Sequence, residues 1–351
     1  MTEEDIIFKK QDFDISIEET EVHKSDGLDA HWLSLVFRGA DLNIKMVNAL
    51  RRVSMTNIPS YAIPPELIKI ETNTTTAFNN DYMRERISQL PVMGVDPEIY
   101  FLHEKHWHNV NYVDPKRDKH EKEGVVEYFI NAHNNTANTI SVTTNDLIMN
   151  VDGKQISPYS EKYPILIIKL RPNDRFKCHM KAAFGVGDRH VIWTAARNTY
   201  YDEILDKNEA STGAYKFTIE GNDQANEYEL LIRSCKYLIK KVTDLKKNIK
   251  QKMTSKEIIP TKKINFKLER EDHTLGELIN YEFQDHDDII RSGVSKPDHL
   301  VKAMLIKAAS AGKVESPLEA MMECLTIVAN KFNHIGKLLE NSYAKSELKK
   351  K

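Results

Sequence analysis

The feature that most constrains this chain is a strand followed at once by an amphipathic helix, and it occurs near each end. In the first copy, residues 32–37 predict the strand, and Asp41 or Asn43 can cap the helix that follows. The apolar residues of this helix recur three or four positions apart and therefore lie on one face. They are Met46, Ala49, Leu50 and Val53.

The second copy lies 231 residues downstream, since this shift places Asp41 on Asp272. Residues 264–268 predict its strand, and Thr274 with Glu277 predicts a capping box at the start of its helix. The apolar stripe of this helix consists of Leu275, Leu278 and Ile279. The chain therefore carries the same strand–helix unit twice.

Each copy is followed by a long helix whose apolar residues have the spacing of a heptad seam. The first seam is Leu231, Cys235, Leu238, Val242, Leu245 and Ile249. The second seam, in a helix expected from Ser316, is Leu318, Leu325, Phe332 and Leu339. A helix with one apolar face must bury that face. Two short stripes and two long seams therefore predict four helices packed together between the two halves.

Between residues 67 and 204, short strand-like runs alternate with polar loops, which predicts a β-rich inserted domain in the first half. The runs are residues 67–71, 98–102, 125–130, 139–143 and 165–170, with one short helix at 81–89. The predicted fold is α+β, with two strand–helix modules packed through their helices. The predicted parts are a first module at 13–66 plus 205–253, the insert at 67–204, a linker at 254–262, a second module at 263–343 and a tail at 344–351.

Composition excludes several classes of protein. The 351 residues carry a net charge of −2, so the chain does not bind polyanions through its overall charge. Three scattered cysteines are too few for a disulfide framework, which favours a reducing compartment. No apolar run approaches the roughly 20 residues of a membrane-spanning helix.

A histidine-rich segment at 103–108 (HEKHWH) raises the question of a metal site. His106 and His108 would share one face of a strand, and the segment lies in a run of predicted strands. However, Trp107 stands where an HExxH motif requires its second histidine, and no further ligand follows at a suitable spacing. We therefore interpret the segment as a polar edge, and expect no metal and no cofactor.

Two other patterns are interpreted as structural. Gly185 and Gly187 lack the third glycine of a dinucleotide-binding loop, so we interpret them as part of a tight turn. Cys235 and Cys324 fall within the helix seams and are expected to be small core residues.

The first half contains motifs of a known family. Residues 48–52 (NALRR), with the Ile-Pro and Ala-Ile pairs that follow, resemble the signature of the alpha-type subunits of multisubunit RNA polymerases. This family includes bacterial alpha and the third-largest subunits of archaeal and eukaryotic enzymes. Residues 82–92 (YMRERISQLPV) and 184–190 (FGVGDRH) are similar to its next helix-and-proline segment and to its glycine loop.

The second half resembles the partner of that subunit. Residues 271–276 (EDHTLG) and 295–300 (SKPDHL) are similar to the small alpha-like eleventh subunit, or archaeal L. Both partners in a single chain resemble the fused polymerase subunit of large nucleocytoplasmic DNA viruses. The resemblance implies an intracellular protein; if it is viral, host cytoplasm (the viral factory), the virion and the nucleus all stay open.

The resemblance also implies a function without catalytic residues: an assembly platform that pairs its own two halves and docks the second-largest polymerase subunit. Further implied partners are the largest subunit and small zinc-binding chains like the tenth and twelfth subunits. DNA would be reached only through the complex, and no membrane is involved. Many cellular members carry a cysteine cluster in the insert, whereas this insert has only Cys178, so no metal is expected.

The residues expected to contact a partner subunit are Asn48, Arg51, Arg52, Gly185, Gly187, Arg189 and His190. Guanidinium groups suit carboxylates and carbonyls of a partner, although an arginine pair on a helix is usually just a solvated face. The residues expected in the dimerisation helices are Met46, Leu50, Val53, Leu231, Leu238, Val242, Leu245, Leu275, Leu278, Ile279, Leu318, Leu325, Phe332 and Leu339.

Two alternative functions come from other classes. A free-standing coiled-coil adaptor would use the same seams to bind other chains, and a metal hydrolase would use the segment 103–108. Oligomeric state distinguishes the first alternative, and elemental analysis distinguishes the second.

Overall fold

The computed structural model describes residues 13–23, 31–255, 261–311 and 317–349. The fold is α+β. Its helices are α1 (Ile44–Thr56), α2 (Asn80–Ser88), α3 (Glu227–Thr254), α4 (His273–Gln284) and α5 (Pro317–Lys349). Its strands are β1 (Ser16–His23), β2 (Trp32–Arg38), β3 (Ser60–Ala62), β4 (Ile68–Asn73), β5 (Val126–His133), β6 (Ile140–Thr143), β7 (Ile148–Val151), β8 (Lys154–Ile156), β9 (Leu166–Leu170), β10 (Arg175–Gly185), β11 (Ala196–Leu205), β12 (Ser211–Gly221), β13 (Lys263–Glu269), β14 (Ile289–Ser295) and β15 (Ala303–Ser310).

An antiparallel sheet of the first half has the strand order β1-β2-β12-β11. Strand β11 pairs along its length with β12, so residues 196–205 belong to this sheet. Strand β3 instead pairs with β10 of the insert. Our predicted insert boundaries at 67 and 204 are therefore wrong at both ends. The sequence favours strand on both sides of each boundary, and only hydrogen-bond partners assign a strand to a sheet.

The second half forms a three-stranded antiparallel sheet with the order β13-β15-β14. The sequence predicted strands at 264–268 and around 304–307, which correspond to β13 and β15, but it did not predict β14. The apolar residues of β14 do not alternate with polar ones, since Ile289 and Ile290 are adjacent. Ile289 is the buried residue of this strand, and Ile290 is 68% exposed.

The two halves meet through their helices. Helix α3 packs along α5, α1 contacts both α3 and α4, and α4 contacts α5. One continuous core includes side chains from all four helices and from the inner faces of both sheets. The predicted packing of four helices between the two halves is what the structure has. Burial of these faces is the main favourable term available to join the halves.

The inserted domain has a second core of its own. Strand β10 is central to it, since β10 pairs with β3, β4 and β5, and β5 continues to β7 and β8. Strands β6 and β9 form a separate pair. The strand predicted at 98–102 is absent: these residues form a loop, with Glu98 at a positive φ of 53°.

The predicted helix caps are found at α1 but not at α4. Asn43 caps α1 and accepts a hydrogen bond from the Met46 amide, as one of the two predicted candidates. The capping box predicted for α4 is wrong, because Asp272 caps this helix and accepts from the Thr274 amide. An aspartate in front of a threonine offers a stronger, charged acceptor.

Several other predictions concern the chain ends. Residues 344–349 are helical in α5, so the predicted tail is wrong over that stretch. Most of the predicted linker, residues 256–260, and the expected start of α5 at Ser316 lie outside the described residues. Among the described helices, none combines the length and apolar character needed to cross a membrane.

Candidate subunit interface

The predicted dimerisation residues lie in one core. All fourteen belong to the core shared by the two halves or, for Leu245, pack against it while partly exposed. In α5 the residues Leu325, Phe332 and Leu339, spaced seven apart, are each fully buried. The heptad spacing predicts this because it keeps one seam of the helix facing its neighbour.

Ion pairs join the short helices of the two halves. On α1, Arg52 places its Nη2 2.6 Å from Asp272 Oδ2, and its Nε donates to Thr274 Oγ1 at 2.8 Å. Lys45 Nζ lies 3.1 Å from Glu277 Oε2. Arg52, predicted to contact a partner subunit, is therefore engaged within its own chain.

The carboxylate of Asp272 is stabilised at this helix start. Burial raises its pKa, but hydrogen bonds from Thr274 and the positive charge of Arg52 outweigh burial, and the net effect lowers the pKa below the ordinary 3.8. The neighbouring Glu271 behaves oppositely. Burial raises its pKa, although its ion pair with Lys241 on α3 works against the rise.

At the contacts between the long helices, the first half again supplies the cationic side chain. Lys246 Nζ on α3 donates to Thr326 Oγ1 on α5 at 2.6 Å, and Lys236 on α3 lies 3.6 Å from Glu340 on α5. In each described ion pair of the helix layer between the halves, the cation comes from the first half and the carboxylate from the second.

Arg51 and Asn48 occupy a different side of α1. Arg51 Nε donates to Asn48 Oδ1 at 3.0 Å, one helical turn away, and both side chains are partly exposed. Arg51 thus keeps an oriented guanidinium at the surface of the helix layer, whereas its neighbour Arg52 is directed at α4.

The glycine loop packs against the end of α1. A Cβ on Gly187 would lie 2.7 Å from the Met55 carbonyl oxygen, and the Asp188 amide donates to the Thr56 carbonyl at 2.8 Å. The loop and the helix end are therefore in direct backbone contact, and close approach is what requires glycine at this position.

The two glycines of the loop differ in their local structure. Gly187 lies in a turn in which the Arg189 amide donates to the Val186 carbonyl at 2.9 Å, whereas Gly185 is the last residue of β10. Neither glycine has a positive φ. A Cβ on Gly185 would lie 2.5 Å from the Trp193 ring. Our tight-turn interpretation therefore holds for Gly187 but is wrong for Gly185, which a neighbouring ring keeps free of a side chain.

Arg189 holds a neighbouring loop in place. Its guanidinium donates to the carbonyls of Trp107 and Val110, and lies 4.4 Å from the centroid of the Tyr112 ring. The side chain is 22% exposed. His190 is exposed, and its Nδ1 accepts from the Ile192 amide. The glycine loop and α1 thus bring the predicted partner-contact residues to one region, with Arg189 committed to internal contacts.

The histidine segment is not a strand. Residues 104–106 form a 3-10 turn, so the predicted alternation of His106 and His108 on one strand face is wrong. His106 is buried and its Nδ1 lies 2.8 Å from the Asp118 carbonyl oxygen. Within the described residues, no group of three or more histidines, cysteines and carboxylates is arranged to hold a metal ion.

Contacts between the insert and the remaining chain were not predicted. Glu104 pairs with Arg270, and Asp188 with Lys302, around a cleft of about 510 Å³. A further contact joins the insert to the first half: the Arg233 guanidinium of α3 donates to both carboxylate oxygens of Asp96 at 2.7 Å. Such pairs join residues more than a hundred positions apart, so no local pattern signals them.

Comparison with known proteins finds a likeness to RNA polymerase subunits. Residues 263–337 match the model of the RNA polymerase Rpb3/Rpb11 dimerisation domain. A protein of Acanthamoeba polyphaga mimivirus, named as a proposed DNA directed RNA polymerase subunit, is 24% identical over 328 residues, which is 88% of this chain and 90% of the relative.

The chain is similar to alpha-type RNA polymerase subunits over most of its length.

Cellular relatives match a shorter part of the chain. Subunit 3B of DNA-directed RNA polymerases IV and V of Arabidopsis thaliana is 29% identical over 175 residues, or 47% of this chain and 52% of the relative. Subunit rpac1 of DNA-directed RNA polymerases I and III of Dictyostelium discoideum is 24% identical over 170 residues, or 48% of each chain. Of these three relatives, the viral one matches the largest share of the chain, 88%.

Proposed function

We propose that this chain is a non-catalytic assembly platform of a multisubunit DNA-dependent RNA polymerase. Its two halves form an alpha-like pseudo-dimer within one polypeptide, and the pair docks the second-largest subunit. The largest subunit and small zinc-binding chains like the tenth and twelfth subunits complete its partners. Contact with DNA is made only by the complex.

The observation that carries the proposal is the single core shared by the helices of both halves. The second half alone matches a domain described by its dimerisation. In this chain, helices α4 and α5 of the second half pack against α1 and α3 of the first half. Fusion removes the association entropy of pairing and sets a one-to-one ratio of the two halves.

A cleavable form of the chain tests the pseudo-dimer. A protease site placed within residues 254–262 allows the halves to be cut apart after folding. We expect the fragments to sediment together at micromolar concentration, since the core between the helices is intact. An uncut chain carrying the same site is the control. Separation of well-folded fragments on cutting contradicts the pairing.

Docking of the second-largest subunit is assigned to the region formed by α1 and the glycine loop. Arg51 is a partly exposed basic side chain there that is neither directed at the second half nor, like Arg189, bound to carbonyls of the insert. A guanidinium at that position can bind a carboxylate or carbonyl of the partner. This assignment gives a role to Arg51, which Asn48 orients, next to Arg52, which is bound to Asp272.

Co-expression with the large polymerase subunits of the same genome tests docking. The tagged wild-type chain is expected to recover the second-largest subunit, identified by mass spectrometry. Arg51→Glu is expected to reduce recovery about tenfold at moderate salt, as loss of an interfacial charge contact does. Arg171→Glu makes the same charge change at an exposed turn of the insert and should leave recovery unchanged. A wild-type chain that recovers neither large subunit contradicts the proposed function.

A further inference from the structure

The outer face of the second-half sheet carries a compact set of cations. Its inner face, which includes Leu268, Met304 and Ile306, is buried under the helices. Outward residues of β13, β15 and β14 form three rows of directly opposed positions, and the outward pair Glu269–Ala303 of β13 and β15 follows them. The rows are Lys263–Ala309–Arg291, Asn265–Lys307–Gly293 and Lys267–Leu305–Ser295. We call these nine positions the basic grid.

The grid is positively charged, and Ala309 within it is buried. Its four cations are all exposed, and no carboxylate lies within it. Lys263, Arg291 and Lys307 form no ion pair with another described residue, whereas Lys267 lies 3.5 Å from Glu269 at the border of the grid. Local charge of one sign on a chain of net charge −2 indicates a specific acidic partner rather than general binding of polyanions.

Protection of strand edges explains only part of this pattern. Lysines on edge strands discourage pairing with other chains, and Lys263 and Lys267 lie on the edge strand β13. Lys307, however, lies on the central strand β15, between Asn265 and Gly293, where no edge needs protection. Its exposure on a flat face between small residues is suited to contact with another chain.

From these observations we propose that the basic grid docks an extended acidic segment of a partner protein, one with Asp or Glu at alternate positions. Strands lie about 4.8 Å apart and rows about 6.8 Å apart, so the grid measures about 10 by 14 Å. Alternate side chains of an extended segment are also about 6.8 Å apart. Three successive carboxylates can therefore meet a cation in each row.

The same geometry disfavours nucleic acid as the occupant. Proteins that bind single strands place aromatic side chains where bases can stack, and the grid has none. Its width of about 10 Å also offers few phosphate contacts to a duplex, whose binding depends on many. This inference goes beyond the proposed docking of the second-largest subunit and does not depend on it.

Peptide binding to the full-length chain tests the proposal by fluorescence anisotropy. The probe is a labelled peptide of alternating Glu and Ser, with a Gln-and-Ser peptide of equal length and a single-stranded oligothymidine as comparisons. We expect the Glu peptide to bind at low ionic strength, to weaken with added salt, and to bind more tightly than either comparison.

Matched variants locate the binding site. The triple variant Lys263→Gln, Arg291→Gln and Lys307→Gln should bind the Glu peptide with about tenfold lower affinity, because several charge contacts are lost. Lys119→Gln, Lys154→Gln and Lys207→Gln combined remove the same charge from exposed positions elsewhere and should leave affinity within about twofold. Circular dichroism confirms that both variants are folded.

Three results overturn the proposal: no peptide binding at low ionic strength, equal loss of affinity in the two triple variants, or tighter binding of oligothymidine than of the Glu peptide. The last result assigns the grid to nucleic acid. None of them bears on recovery of the second-largest subunit, which is measured separately.

Discussion

Arg52 on α1 and Asp272 at the start of α4 lie 220 positions apart in the chain, yet their side chains are joined at 2.6 Å. The contact ties the first strand–helix unit to the second at the residue that caps the second helix. It gives the apolar packing of the two short helices a polar link with a defined geometry.

A double-mutant cycle measures this contact. The experiment compares urea unfolding of Arg52→Met, Asp272→Asn and the combined variant. We expect a coupling free energy of about 0.5–1 kcal/mol, because both side chains are more than a third exposed and solvent screens the pair. Asn is used since it still caps a helix. The same cycle on Lys267 and Glu269, an exposed pair within one strand, should give a smaller coupling. Equal couplings contradict the prediction.

Acid should remove a specific part of the stability. The pKa of Asp272 is lower in the folded chain than its ordinary 3.8. Its ionised form therefore stabilises the fold above that value, and this stabilisation is lost as pH falls through the folded pKa. Asp272→Asn should destabilise the chain at neutral pH, and its difference in unfolding free energy from the wild type should narrow as pH falls from about 5 to about 2. A difference in unfolding free energy that stays constant over this range contradicts the prediction.

The glycine loop should not tolerate a methyl group. Gly187→Ala places a Cβ 2.7 Å from a backbone oxygen of α1, which cannot move as a flexible side chain can. We expect a loss of about 1–3 kcal/mol in the free energy of unfolding. Gly293→Ala is the control, because a Cβ added there would have no heavy atom within 4 Å. A Gly187 variant as stable as the control means that the loop and α1 are not packed as described.

Loss of a seam residue in α5 should also destabilise α3 of the opposite half. Leu325→Ala empties part of the shared core and should cost about 2–5 kcal/mol. Leu300→Ala, at a side chain that is 86% exposed, should change stability by less than about 0.5 kcal/mol. Hydrogen exchange should accelerate in α3 as well as α5, since the two helices pack together. Acceleration confined to α4 and α5 indicates two independent cores.

Periodic patterns in the sequence predicted the helices well. The stripe through Met46, Leu50 and Val53, and the seam from Leu318 to Leu339, are buried because a spacing near 3.6 residues puts apolar side chains on one face. The motif at residues 48–52 and the segment at 271–276 indicated a resemblance to the family before any contact was known.

Strand assignment was less predictable. Residues 196–205 and 60–62 both favour strand, but whether each belongs to the outer sheet or to the insert depends on hydrogen bonds with distant strands. Residues 98–102 carry the apolar side chains of a strand and form a loop, since their side chains pack without a pairing partner.

The roles of individual charged residues could not be separated from the sequence. Arg51 and Arg52 are adjacent and chemically identical, yet one remains near the surface and the other is bound by Asp272. Arg189, expected to contact another subunit, instead binds carbonyls of residues 107 and 110.

By itself, the sequence determined that two similar strand–helix units exist, which faces of their helices are apolar, and which family they resemble. These properties depend on spacing along the chain, and spacing is local. Only the tertiary structure decided which strands share a sheet, why Gly185 and Gly187 carry no side chain, and which charges meet across the halves. Those outcomes depend on approach between segments far apart in the chain, where distance in space is independent of distance in sequence.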